Sequence, residues 1–350
     1  MASNSTTSGV GKTILVTGGS GFVAAEVLTA FLSRGYNVRT TVRNDASADK
    51  IKKSHSKYIN QLSFAIVKDI QIPGGHDEAV KGVDGVIHTA SPFLLQVEDN
   101  ERDLLLPAIK GTTEVLASVQ KNAPNVKRVV ITSSFASVVD IPKGTRSGYV
   151  YNEKDWNPCP YEVAANKDSP GAVSYCASKA FAEKAAYDYV KEHKPQFEIT
   201  TLCPPMVYGP SGSVVTSLDN LNTSAADIYR LINGSCKEVP ETSFYGWVDV
   251  RDLGDIHARA FESPKAAGQR YVTASSGYTY QQICDIIRKD FPEKRHLVPE
   301  GTPNAPYPDV YKIDNSKVKK ELGVEFKTLE TSIHDMVAQF IEIEKATGKA

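Results

Sequence analysis

Excess charge of either sign is missing from this chain. Lys and Arg number 40 against 41 Asp and Glu, a formal net charge of −1. Without a basic surplus there is no electrostatic footprint for nucleic acid or an anionic membrane surface, so a small-molecule partner is the default expectation. Cysteine is sparse: Cys159, Cys176, Cys203, Cys236 and Cys284 stand far apart and are odd in number. That excludes metal-finger spacing and a disulfide framework, and suits reduced thiols in the cytoplasm; no metal site is expected. Long apolar runs are lacking too. Residues 1–11 are small and polar, without the apolar stretch a signal peptide needs, and nothing later is long enough to span a bilayer. The start of the chain reads as a loose tail.

Alternating strand and helix signals are what the sequence does have. Thr13–Thr17 is a β-rich apolar run that ends in glycines, as a buried parallel strand should. The stretch 22–32 places Val23, Val27 and Phe31 beside Ala24 and Leu28 at helical spacing, and Gly35 closes it. Further strands are expected at 37–42, 64–67, 85–88, 128–132 and 198–202. Segment 143–172, rich in Pro, Gly and Asn, reads as irregular, and a long helix is expected at about 174–194. This β-α-β alternation predicts an α/β fold, a Rossmann-like doubly wound parallel sheet with a smaller C-terminal substrate lobe. The expected divisions are a flexible tail at 1–11, a dinucleotide-binding domain at 12–203, and a lobe at 204–350 from which about 245–262 returns to the first domain. The stretch 329–343 carries Ile333, Met336, Val337, Phe340 and Ile341 on one face and reads as a packed amphipathic helix.

Between the first strand and first helix lies Thr17-Gly18-Gly19-Ser20-Gly21-Phe22-Val23-Ala24. Glycines there let the backbone turn sharply and approach a pyrophosphate, whose charge the open amides of the helix start receive. Ala24 is an acceptable third small residue, since that position needs only close packing. A glycine pattern alone is weak; its place after the first strand makes it a dinucleotide fingerprint. An enzyme using NAD usually ends its second strand with an acid for the ribose hydroxyls. Here the strand ends Thr41-Val42-Arg43-Asn44, with a further cation at Arg39. The Arg43 guanidinium suits an adenosine 2′-phosphate, so NADPH/NADP+ is the expected cofactor.

Two motifs carry the chemistry. Thr132-Ser133-Ser134 falls at the carboxyl end of a strand, and Tyr175-Cys176-Ala177-Ser178-Lys179 opens the long helix. Tyr175 and Lys179, four apart, share a helix face. A free tyrosine titrates near pH 10, and a neighbouring ammonium favours its phenolate, which makes Tyr175 a usable proton donor in reduction. Ser134 is placed to hold a carbonyl oxygen by a hydrogen bond. A second Tyr-x-x-x-Lys, Tyr187 to Lys191, lies roughly 18 Å further along the same helix at 1.5 Å per residue. That is away from the sheet's carboxyl edge, so Tyr187 reads as packing.

With these motifs in order, the chain resembles an extended short-chain dehydrogenase/reductase, and more narrowly the fungal NADPH-dependent methylglyoxal reductases, also called isovaleraldehyde reductases. The likeness runs over nearly the whole chain. Its landmarks are His88 to Phe93, Glu101 to Leu105, Tyr175 to Ala186, Leu221 to Ser224 and Trp247 to Asp252. It implies catalytic roles for Ser134, Tyr175 and Lys179. Cofactor contacts are implied at Gly18, Gly21, Phe22, Val23, Arg43, Asp69, Ile70, Thr89, Ala90, Ser91, Tyr175, Lys179, Pro204, Val207 and Ser224. The family's second phosphate ligand, a lysine four residues past the arginine, is Ser47 here, and the nearest lysine is Lys50. Phe93, Phe135 and Met206 are implied as an apolar substrate pocket, though core packing is an alternative for them. The implied activity is reduction of small aldehydes, α-ketoaldehydes and hydrophobic ketones; monomer and homodimer stay open, since amphipathic helices can be buried within one chain or between two.

Plant relatives give a contrast. Dihydroflavonol reductases, which the chain also resembles, usually have Asn five residues past the serine, where Val139 stands. Cinnamoyl-CoA reductases show Asn-Trp-Tyr-Cys-Tyr-Gly-Lys against Val173 to Lys179. Two other functions stay open at this point. A nucleotide-sugar epimerase or dehydratase could use the same scaffold, but Phe135-Ala136-Ser137 offers no acid pair after Ser134. A non-catalytic NADP-binding sensor is the other, although such proteins commonly lose the tyrosine or lysine.

Overall fold

The computed structural model describes residues 8–91, 97–215, 217–219 and 221–348. The first half alternates strand and helix: β1 (Thr13–Thr17), α1 (Phe22–Leu32), β2 (Asn37–Val42), α2 (Asp45–Ser54), β3 (Leu62–Ile66), β4 (Gly85–His88), α3 (Leu106–Asn122) and β5 (Arg128–Thr132). Next come β6 (Val150–Tyr151), α4 (Tyr161–Ala165), the long α5 (Gly171–His193) and β7 (Glu198–Cys203). The remainder is β8 (Met206–Tyr208), α6 (Thr223–Tyr229), β9 (Trp247–Asp249), α7 (Val250–Glu262), β10 (Arg270–Val272), α8 (Tyr280–Asp290), β11 (Lys312–Ile313), α9 (Ser316–Leu322) and α10 (Leu329–Thr347).

Seven parallel strands form the central sheet in the order β10-β7-β5-β4-β1-β2-β3. Strand β1 is buried on both faces. Ile14 and Val16 point into the core under α1 and α7, and Leu15 into the core under α3 and α5, as a two-residue side-chain period requires. Val27, Leu28 and Phe31 fill the first core from α1, each contributing about 1.5–3 kcal/mol of burial. The chain steps outward from β1 to β2 and β3, then returns to β4 and steps the other way. The carboxyl ends of β1 and β4 therefore flank the point where strand order reverses, which is where ligands settle in such sheets.

A third core lies beyond the sheet, where Tyr208, Trp247, Ile283 and Ile287 pack against α10. The face expected at 329–343 is the one α10 buries, through Ile333, Met336, Val337, Phe340 and Ile341. Arg251 ties this region to the sheet domain by pairing with Asp249 at the end of β9 and Asp335 on α10.

Several boundaries differ from expectation. The third strand begins two residues early, at Leu62, because its register is set by pairing with Val38 to Val42 of β2 rather than by its own apolar run. Segment 143–172 is not wholly irregular: Val150–Tyr151 pairs with Lys312–Ile313, and Tyr161–Ala165 is helical. The last of the proposed tail residues are anchored, with the Gly9 amide on the Arg34 carbonyl at 3.2 Å and Ser8 Oγ on Glu262. Among the described residues no helix is long and apolar enough to cross a membrane. All five cysteines are free thiols.

Candidate active site

A cleft of about 750 Å³ opens along the carboxyl ends of β1 to β4. Its walls are the glycine loop (Gly18, Ser20, Gly21), the end of β2 (Thr41 to Arg43), the segment after β3 (Val67 to Gln71) and the segment after β4 (Thr89 to Ser91). Most of the cofactor residues expected from the sequence thus meet in one place: Gly18, Gly21, Arg43, Asp69, Ile70, Thr89, Ala90 and Ser91. Phe22 instead faces a smaller cavity of about 310 Å³, beside Lys50 and the loop before α6. Val23 packs on the first core. Pro204, buried, receives the Phe135 amide on its carbonyl at 2.8 Å. Val207 lies half-buried on β8 and Ser224 half-buried on α6, next to Leu221, Asn222 and Ala225 of that smaller cavity.

At Gly18 and Gly19 the loop is shaped by contacts that leave no space for a side chain. Gly18 has φ +70, and a Cβ on it would stand 3.0 Å from Ala90 Cα. A Cβ on Gly19 would stand 2.0 Å from Thr40 Oγ1. Thr41 pins the loop from β2, its Oγ1 accepting from the Gly18 amide at 2.9 Å and its carbonyl from the Gly19 amide at 3.0 Å. Gly21, the N-cap of α1, offers no capping side chain, and the first turn carries no acid, so the amides there stay open toward an anion.

A hub missed in the sequence lies beneath this loop. Thr17 Oγ1 accepts the amides of Thr89 and Ala90, each at 3.2 Å, and lies 2.9 Å from His88 Nδ1. With both acceptor positions taken, its one proton goes to Nδ1. Burial pushes the His88 pKa down to about 3, so the ring is neutral and fixes the β4 end without charge. A threonine closing a strand was the only sequence signal.

The features fit an NADP-type cofactor. Arg43 is exposed at the cleft, and no acid ends β2. The other cations named from the sequence do not join it. Arg39 turns away and donates Nη1 to the carbonyls of Ala79 (2.9 Å) and Lys81 (2.7 Å). Lys50 faces the smaller cavity. Ser47, where a second phosphate ligand was sought, donates both its amide and its hydroxyl to Asn44 Oδ1, each at 3.0 Å, in the cap of α2.

The catalytic candidates converge at the end of this cleft. Lys179 is 8% exposed, and its Nζ donates to Ser91 Oγ at 2.5 Å while lying 5.2 Å from the Tyr175 ring centre. Burial pulls its pKa from 10.5 down to about 8. Burial raises Tyr175 above an ordinary phenol, and a hydrogen bond with the Ser134 side chain acts in the opposite direction. Ser134 caps the short turn Phe135–Ser137, its Oγ accepting the Ala136 amide at 3.1 Å. Neighbouring amides hold that turn: Ser133 N on Leu202 O at 2.7 Å and Phe135 N on Pro204 O at 2.8 Å. Tyr187, by contrast, bonds Thr201 Oγ1 at 3.0 Å and meets the Trp156 ring edge-on.

Of the residues proposed to meet substrate, Phe93 lies outside the described residues. Phe135 has no exposed surface and sits among Tyr151, Phe244 and Tyr311. Met206 is half-buried against the third core.

The pattern of the NAD dependent epimerase/dehydratase family matches residues 14–274. A ketoreductase of Aspergillus niger, azaE, is 39% identical over 338 residues, covering 95% of this chain and 98% of that protein. The NADPH-dependent methylglyoxal reductase GRE2 of Saccharomyces cerevisiae is 33% identical over 341 residues, covering 95% of this chain and 98% of that one. The crystal structure of the yeast methylglyoxal/isovaleraldehyde reductase Gre2 complexed with NADPH superposes with a TM-score of 0.88, covering 97% of this chain and 100% of that chain at 33% identity.

Proposed function

The chain belongs to the NAD dependent epimerase/dehydratase family, and on that premise we propose that it is an NADPH-dependent reductase of aldehydes and ketones. The observation that carries this reading is the meeting of Ser134, Tyr175 and Lys179 beside a cleft in which the end of β2 presents Arg43 and no acid. The names of the relatives support the substrate class: methylglyoxal and isovaleraldehyde for the yeast enzyme, a ketone for the fungal ketoreductase.

NADPH, when bound, supplies the hydride. Gly18 to Val23 would line the pyrophosphate, held by the amides at the start of α1 that are not bonded to Thr41 or Gly18, and Arg43 would hold the 2′-phosphate. Asp69, Ile70, Thr89, Ala90, Ser91, Pro204, Val207 and Ser224 would complete its site. Ser134 holds the carbonyl oxygen, and Tyr175 gives that oxygen its proton. Lys179 stabilises the phenolate left behind and would hold the nicotinamide ribose. Phe93 and Met206 are the proposed apolar side of the substrate pocket, whereas Phe135, with no exposed surface, fits the alternative of core packing. Residues 12–203 are proposed to bind the dinucleotide and most of 204–350 the substrate, with about 245–262 returning to the first unit. The free thiols suit a reducing compartment, and a cytoplasmic enzyme, monomeric or homodimeric, is proposed.

Sugar epimerisation or dehydration is disfavoured by Phe135, Ala136 and Ser137, which place no acid directly after Ser134. The test is NADPH oxidation, followed by absorbance, with methylglyoxal, isovaleraldehyde and a bulky aryl ketone beside an NADH control. Turnover with NADPH and weak turnover with NADH are expected. NADPH binding without oxidation by any carbonyl would end the reading.

A further inference from the structure

Below the catalytic pair, α5 carries an acid on the same face. Glu183 follows Lys179 by one helical turn and Tyr175 by two. It is 2% exposed. Its Oε2 accepts from Ser133 Oγ at 2.7 Å and Ser137 Oγ at 2.6 Å, and its Oε1 from Thr201 Oγ1 at 2.6 Å. Arg270 closes the other side, Nε on Oε1 at 2.8 Å and Nη2 on Oε2 at 3.1 Å. Arg270 is itself fixed: Nη2 reaches Ser137 Oγ at 2.9 Å, Nη1 the carbonyls of Glu153 (3.1 Å) and Asp155 (2.5 Å), and the guanidinium lies 3.7 Å from the Trp156 ring centre.

These bonds fall in a specific place. Ser133 and Ser137 bracket Ser134, and Ser137 Oγ also lies 2.7 Å from the Ser134 carbonyl. The carboxylate thus joins the helix that bears Tyr175 and Lys179 to the turn that bears Ser134. A buried ion pair is a weak source of stability compared with apolar packing of the same volume. One that is fully hydrogen-bonded fixes the groups around it rigidly. We propose that Glu183 is a positioning residue: through Ser133 and Ser137, its carboxylate sets the separation between the Ser134 hydroxyl and the Tyr175 phenol. This rests on the reductase reading, since that separation matters only if both groups meet one carbonyl oxygen.

The experiment is a double-mutant cycle between Glu183→Gln and Ser134→Ala, with circular dichroism and NADPH titration on each variant. Gln keeps the shape of the side chain but replaces one acceptor oxygen by a donor. Expected for Glu183→Gln are unchanged NADPH affinity, a carbonyl KM near that of the wild type, and a kcat lower by about 100-fold, the scale of a displacement near 1 Å. The double variant should be no slower than Ser134→Ala, because Glu183 acts through that serine. Multiplying losses, or cofactor affinity falling together with kcat, would overturn the proposal in favour of a structural role. If Glu183→Gln does not fold, Ser137→Ala removes a single hydroxyl of the tether and enters the same cycle, with the same non-additive result expected. A wild type that reduces no carbonyl would overturn the reductase reading instead. The tether is then read from the carbon-labelled Tyr175 ring resonance, assigned with Tyr175→Phe. Equal displacement of that resonance by Glu183→Gln and Ser134→Ala supports the proposal, and a resonance that Glu183→Gln leaves in place overturns it.

Discussion

The Lys179 ammonium lies 5.2 Å from the centre of the Tyr175 ring, one helical turn away, and donates to Ser91, which lines the cleft. The lysine therefore spans from the helix that carries the proposed proton donor to the segment after β4 that borders the cleft. Removing the phenol oxygen leaves this span and the glycine loop intact. Tyr175→Phe should lower kcat by about 10²–10⁴-fold, the usual share of a general acid, and change the NADPH dissociation constant by less than about threefold. Steady-state turnover beside fluorescence titration of NADPH checks both; retained turnover removes Tyr175 from its role.

Burial brings the Lys179 pKa down to about 8 from 10.5, and the sign of the consequence follows. Between those two values the unfolded chain holds a proton that the folded protein lacks, so stability rises with pH across that window. Below it, the buried ammonium opposes folding in full. Lys179→Met should accordingly unfold at higher denaturant than the wild type at pH 7, by about 1–3 kcal/mol, with the advantage shrinking as pH rises toward 10.5. The same variant should be nearly inactive. In the wild type, kcat/KM for NADPH, which reports the free enzyme, should fall as pH rises through about 8. A profile flat through that value would show that the charge on Lys179 is not needed.

Arg43 is the cation that the cleft presents at the end of β2, while Arg39 is occupied by the Ala79 and Lys81 carbonyls and Lys50 faces another cavity. Lys68 and Arg102 also line the cleft, Arg102 paired with Asp103, so discrimination for the 2′-phosphate should rest mainly on the Arg43 guanidinium at the end of β2. Arg43→Ala should raise KM for NADPH by about 10–100-fold, the loss of about 1.5–3 kcal/mol of charge-assisted hydrogen bonding, and leave KM for NADH nearly unchanged. Equal losses for both cofactors would place Arg43 outside the phosphate site.

The Tyr175 and Lys179 pair and the glycine loop were legible because each depends on local spacing: four residues along a helix, or a turn after an apolar strand. Strands β1, β2, β4 and β5 have the bounds their apolar runs predict. What local spacing does not carry is chemistry assembled across the sheet. Glu183 and Arg270 are far apart in the chain and meet only because β10 pairs with β7 beside α5. An acid on a helix face otherwise lined by Cys176, Lys179 and Ala186 was the one available sign. The reach of Arg39 and the cap at Ser47 were likewise invisible, since charge and position alone do not say which carbonyl a side chain will find.

Two glycines of one loop should fail in different ways. A Cβ on Gly19 would enter the space of Thr40, 2.0 Å from its Oγ1 and 3.0 Å from its Cβ. That hydroxyl is buried and donates to the Val16 carbonyl at 2.8 Å. Rotating it away strands a buried polar group at a cost of about 1–3 kcal/mol, and moving the loop breaks its hold on Thr41. Gly19→Ala should therefore lower both thermal stability and NADPH affinity. Adding Thr40→Ala should recover part of the stability, because the nearest clash is then gone while the Cβ contact persists. On Gly21 the nearest atoms to an added Cβ are Gly18 O at 3.3 Å and Ala24 Cβ at 3.8 Å, so a shift of a few tenths of an ångström would admit it, far less than at Gly19. That residue lines the cleft, and its new methyl would stand where a pyrophosphate approaches the amides. Gly21→Ala should fold with a wild-type melting temperature and bind NADPH weakly. If the two variants lose stability alike, the loop is a packing element and not a cradle for the cofactor.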